Sequence, residues 1–214
     1  MSEEFIREVD EDLKEEKRLK FWKRILPYVV SISLGIILST SGFVLWDNHT
    51  QNVKQNLGDD FTAAVELAKD EDIDAALLAL DRIVEKGSDG YITMAKMKKA
   101  SLLIDKGELE EGLEIYLDLE RNAVDQSFRD IATILFVINS LDTEEPQKLL
   151  NKLKPLEDSL IWKSSALELK AFVYLKLNEK EKARQTFESI IQMPNKPSTL
   201  GLRAKNMYDF LGKK

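Results

Sequence analysis

Ser165–Pro194 reads SALELKAFVYLKLNEKEKARQTFESIIQMP, and its apolar positions decide how this chain folds. Ala171 and Tyr174, then Ala183, Phe187 and Ile190, recur at helical spacing on either side of the polar turn Leu177–Lys180. The pattern predicts two amphipathic helices joined by a short turn. Asn178 stands where a residue able to adopt the left-handed conformation closes the first helix. A single helix pair of this kind cannot bury its own apolar faces, so it calls for neighbours.

The neighbours lie upstream. Ala64, Leu67, Ile73, Ala76, Leu80 and Ile83 form one copy, and Ala100, Leu103, Gly107, Leu109, Gly112, Tyr116 and Leu119 form the next, with Ala64 and Ala100 36 residues apart. Ala171 follows Ala100 by 71 residues, two periods. The copy between them, roughly Asp125–Ser159, is degenerate, with Ile131, Ile134 and Leu135 for its first helix and Leu149, Leu150 and Leu153 for its second. Small residues in mid-helix let paired helices cross closely, while Tyr116 and Phe187 fill the groove between them. Leu200, Leu202, Ala204, Met207, Tyr208 and Leu211 predict a terminal helix that caps the stack. The expected architecture is all-α, a solenoid over residues 57–214.

Upstream of the repeats the composition changes. From Ile25 to Trp46 the chain runs 22 residues without an ionisable side chain. As a helix this run is about 33 Å long, enough to cross a hydrocarbon core of ~30 Å. Lys14, Lys17, Arg18, Lys20, Lys23 and Arg24 precede it and Asp47 follows it. That asymmetry predicts a cytoplasmic N-terminus and a translocated C-terminal domain. Phe21, Trp22 and Tyr28 at one end, with Phe43 and Trp46 at the other, match interfacial aromatic belts. Ser31, Gly35, Ser39 and Gly42 share one face, where another membrane helix could approach closely; the abundance of Gly and Ser in membrane helices explains them equally well. Residues 1–24 carry Ile6, Val9 and Leu13 at helical spacing and read as a cytoplasmic amphipathic segment, and residues 47–56 as a linker.

The chain has 214 residues, no cysteine and a single histidine, His49. Disulfide scaffolds, thiolate zinc sites and cysteine nucleophiles are thereby excluded. A net charge of −7 argues against an electrostatically driven nucleic-acid binder. No Walker, dinucleotide-binding, nucleophile-elbow or zincin motif occurs. The acidic pairs Asp59/Asp60, Asp70/Asp72, Glu110/Glu111 and Glu144/Glu145 fall at helix starts or on polar faces, where carboxylates favour the dipole and water. Trp162 is read as a core anchor between repeats. No catalytic residue, metal ligand or cofactor site is expected. Residues 47–214 hold 24 Lys and Arg against 30 Asp and Glu, a net of −6, which predicts that the domain as a whole stands off anionic headgroups.

Ala171, Tyr174, Ala183 and Phe187, with Pro194 after them, make this stretch resemble the tetratricopeptide repeat. The other copies depart from that pattern at Leu103 and Gly112. Phe5, Arg7, Glu8, Val9, Asp10, Glu11 and Leu13, followed by Trp22 and Lys23, make the whole chain similar to bacterial single-span membrane proteins of the ancillary Sec-translocon subunit group. That resemblance implies an inner-membrane protein whose periplasmic repeats meet the translocon, translocating chains or periplasmic chaperones. Helical phase puts Lys96, Lys99, Asp130, Thr133, Lys163 and Lys170 on the face lined by the first helix of each repeat, the expected platform for protein partners. Two other functions compete with export: a structural scaffold of an envelope or cell-division complex, and a cell-wall enzyme, for which no nucleophile–base constellation is present.

Overall fold

The computed structural model describes residues 2–212, with side chains from Lys17 onward apart from those at 19, 29 and 30. The amphipathic pattern of Ile6, Val9 and Leu13 therefore lies outside the described side chains. Two compact units divide the chain, Met1–Asn56 and Leu57–Lys214.

The described residues of the first unit are all helical and belong to α1 (Ser2–Lys69). It carries the one described helix whose apolar window, of mean hydropathy 1.9, is long enough to cross a membrane. Ile32, Leu34, Ile36, Ile37, Leu38, Phe43 and Leu45 are all more than half exposed, an arrangement that water penalises and lipid does not.

The second unit begins with the last turns of α1 and continues through α2 (Ile73–Lys86), α3 (Asp89–Lys106), α4 (Leu109–Asn122), α5 (Gln126–Ser140), α6 (Pro146–Leu153), a 3₁₀ turn (Lys154–Asp158), α7 (Lys163–Lys176), α8 (Lys180–Gln192) and α9 (Ser198–Leu211). No strand occurs among the described residues. Each helix packs mainly on its chain neighbours, so the unit is a stack of helix pairs.

Three of the four pairs turn in the same way. Glu71, Gly107 and Asn178 take positive φ, at 64°, 95° and 60°. The next residue then donates its N–H five positions back: Asp72 to Leu67 O at 3.0 Å, Glu108 to Leu103 O at 2.8 Å, Glu179 to Tyr174 O at 2.8 Å. These are Schellman closures, and the donating residue also serves as N-cap of the following helix. Asp72 goes further, accepting from Ala75 N through its side chain. The third pair lacks this device. Its turn folds on Ser140, whose carbonyl accepts from both Thr143 N and Glu144 N, and its second helix is short and runs into the 3₁₀ turn.

Within each regular pair, small residues recur twelve positions apart: Ala64 and Ala76, Ala100 and Gly112, Ala171 and Ala183. All are buried. At Gly112 the fit is closest, since an added Cβ would lie 2.7 Å from Ala100 O and 2.5 Å from Ile104 Cγ1. The departure from alanine at this position thus has a steric cause. Tyr116, Phe136 and Phe187 are at most 2% exposed and fill the space beside these crossings. Phe187 meets Phe172 edge to face, with centroids 5.7 Å apart. Trp162 packs half-buried against the central core cluster, its indole N–H shielded and unpaired.

Gly112→Ala should destabilise the chain by about 1–3 kcal/mol, because the backbone of α3 cannot yield. Glu71→Gly should stabilise it by about 0.5–1 kcal/mol, because glycine takes the left-handed region without the Cβ penalty. Thermal melts followed by circular dichroism test both; equal melting temperatures would place the crossing or the turn elsewhere.

Candidate protein-binding surface

The first helices of the repeats bring the sequence-predicted platform residues to quite different surroundings. The Lys96 ammonium lies 2.7 Å from Asp118 Oδ2 on α4, and Lys99 donates to Asp81 on α2. Lys170 donates to both oxygens of Glu157 at 2.8 Å. These three lysines are tied into the scaffold. Thr133, expected on the open face, is buried and donates its hydroxyl to Arg129 O. Its helix α5 is packed by α4, α6 and α7 together, so little of it reaches water. Asp130 is half-buried and accepts from Gln126 Nε2 at 2.7 Å. Lys163 alone of the six is exposed, in the first turn of α7.

The wider pattern is a set of staples about one repeat long. Lys106 meets Asp74, and Lys152 meets Glu120, each across 32 residues. Lys176 caps Leu141 O at 2.7 Å and Arg203 clamps Glu168 at 2.8 and 2.7 Å, each across 35. The Glu168 side chain is 11% exposed, so its bidentate guanidinium partner on α9 is what lets a carboxylate sit there. Arg184 stacks on Tyr208 with 4.1 Å to the ring centroid, a second bond between the last repeat and its cap. Sequence reasoning missed these acidic partners. The signal available was the recurrence of opposite charges near the repeat period.

Among the grooves on this framework, two include residues of the sequence-predicted platform, Lys96 and Lys170. One, of about 340 Å³, has Ile92, Thr93 and Lys96 of α3 on one wall and Asp118, Leu119 and Asn122 of α4 on the other, with Val124 at its mouth. The Lys96 ammonium, and after it the Asn122 amide, hold the Asp118 carboxyl below the usual carboxylate range. The other, of about 260 Å³, lies between α7 and α8 around Tyr174, with the ammoniums of Lys170 and Lys182 6.0 and 5.6 Å from its ring. Both grooves mix apolar side chains with charged and polar ones, a lining that suits contact with the side chains of a polypeptide.

In the other unit Ser31 donates to Pro27 O, and an added Cβ at Gly35 or Gly42 would meet nothing within 4 Å, so the small-residue face is open. His49 is exposed, and the described residues contain no group of three His, Cys, Asp or Glu able to hold a metal. Asp72, Glu110, Glu111 and Glu145 stand at helix N-termini.

The family model described as a tetratricopeptide repeat-like domain matches residues 19–205, from before the apolar run to the middle of α9. No curated protein matches the chain.

Because the folded pKa of Asp118 lies below its unfolded value, the stability it adds is present above about pH 4 and is lost as the pH falls through the folded value. The chain should therefore melt higher than its Asp118→Asn variant near neutrality, and the gap should close on acidification. A gap that persists at pH 2 would remove the Lys96–Asp118 pair from the groove.

Proposed function

Since the chain belongs to the tetratricopeptide repeat-like domain family, a fold whose ordinary task is to hold other proteins, we propose that it is a membrane-anchored scaffold of bacterial protein export. In this reading the run 25–46 crosses the inner membrane once, residues 1–24 stay in the cytoplasm and the repeat unit works in the periplasm as an accessory of the Sec translocon, meeting emerging chains or chaperones. The observation that carries it is the joining of an exposed apolar helix to a helical-repeat unit within one family match that starts at residue 19, ahead of the apolar run. Six basic residues before the run set its direction. The charged partners of the first helices rigidify the platform, which leaves Lys163, Asp130 and the two grooves to meet a partner. Ser31, Gly35, Ser39 and Gly42 offer a partner helix close approach within the bilayer.

A periplasm-dependent reporter fused after Lys214 should be active and a cytoplasm-dependent one silent; the reverse would overturn the topology. Co-purification from mild detergent should recover translocon subunits or periplasmic chaperones. Recovery of cell-division or cell-wall proteins in their place would assign the scaffold to an envelope complex. Gly35→Leu with Gly42→Leu should weaken the recovered complex while insertion persists, since leucine favours the bilayer; unchanged recovery would reduce the span to a tether.

A further inference from the structure

α9 is apolar on two sides. Leu200, Ala204, Met207, Tyr208 and Leu211 face the stack and share a core cluster with Phe187 and Ile190. On the opposite side of the helix Leu202 and Phe210 stand 61% and 69% exposed. A helix that closes a solenoid ordinarily turns a polar face to water. Earlier helices in the stack are covered on both sides: α3 lies between α2 and α4, and α7 between α6 and α8. α9 packs on α8 and, more lightly, on α7, so its outer side is the place where one more helix fits.

That outer side has an internal order. Leu202, Asn206 and Phe210 follow one another at four-residue spacing and form a single ridge along the helix. Lys205 and Asp209, also four apart, form the ridge beside it. All five are exposed, and the side chains of Lys205, Asn206 and Asp209 make no hydrogen bond or ion pair among the described residues. Reversed end for end, this face matches itself. About a two-fold axis at Asn206, Leu202 of one copy lies beside Phe210 of the other. The two Asn206 amides, each donor and acceptor, then meet at the axis. Lys205 of each copy stands opposite Asp209 of the other, whereas parallel pairing would set like charges together.

We propose that a second copy of this chain covers the outer face of α9 with its own, giving an antiparallel α9–α9 dimer in which two repeat stacks are joined end to end. Such an interface is isologous and closes on itself, so it makes a dimer and not a fibre. Crossing of the four-residue ridges at about −50° is the commonest way two helices pack. The occupant is a second copy because the order of charges and of apolar groups is its own complement. Lipid has no use for an amide set between the two apolar side chains, nor for a carboxylate beside them. Pairing places two sets of grooves on one assembly, so weak contacts with a long polypeptide gain by bivalence. The inference adds to the scaffold reading and does not depend on the export reading or on the membrane topology.

The chain has no cysteine, so single reporters can be placed in it. Full-length Asn206→Cys, extracted in mild detergent and oxidised with copper phenanthroline, should form a disulfide-linked dimer at least fivefold more readily than Glu181→Cys, an exposed site on α8. Mixed Leu202→Cys and Phe210→Cys chains should cross-link better than either chain alone; the reverse would overturn the antiparallel order. Within Asn206→Cys, Lys205→Asp or Asp209→Lys should each cut the yield severalfold, and the two together should restore it. That rescue separates lost pairing from lost folding. A monomer, or a dimer that does not cross-link through Asn206→Cys, would overturn the interface; in the second case the apolar run or another surface holds the copies together. In native membranes, a benzophenone attached to Asn206→Cys should capture a second copy. Capture of a different protein, or of lipid alone, would overturn the choice of occupant.

Discussion

Helix crossings at small side chains set the terms for everything else in the repeat unit. Ala64, Ala76, Ala100, Gly112, Ala171 and Ala183 are all buried, and at Gly112, against Ala100 O, there is no room even for a methyl group. The close approach fixes the angle and register of each pair. It also creates the space on either side that Tyr116 and Phe187 occupy. A constant spacing between the small residues demands a turn of constant length, and that is why the same closure recurs with three different residues at its left-handed position, Glu71, Gly107 and Asn178.

Much of this was legible in the sequence because it is written in local patterns. Apolar spacing marks the helices, and Gly107 and Asn178 announce their turns through residues that tolerate positive φ. Glu71 announces nothing chemically, since glutamate has no preference for that region; only its place one period before Gly107 betrays it. The face lined by the first helices was less legible. Helical phase assigns Lys96, Lys99 and Lys170 to one side of a helix, but it cannot show that Asp118, Asp81 and Glu157 wait on the adjacent elements. Thr133 was misplaced for a related reason: the degenerate third repeat surrounds α5 more completely than a regular pair would, and a polar residue that satisfies itself on its own backbone can then be buried.

The ionic partners divide labour with the apolar crossings. Within a pair, packing specifies geometry; between pairs, long side chains reach across the stack, and the clamp of Arg203 on Glu168 fastens the closing helix. Exposed pairs of this sort add little stability each, so their contribution lies in fixing which helix faces which. A scaffold arranged in this way keeps its shape while presenting shallow grooves of mixed apolar and charged lining, a design suited to contact with other polypeptides.

The predominance of contacts between chain neighbours has a consequence for how the unit comes into being. No helix needs to wait for a distant part of the chain, so the entropic cost of closing long loops never arises and assembly can keep pace with delivery of the polypeptide. Synthesis supplies the α1–α2 pair first, and each later pair finds a finished surface to condense upon. The apolar face of α8 stays uncovered until α9 packs on it, so the docking of that helix is the step that takes Phe187 and Ile190 out of water.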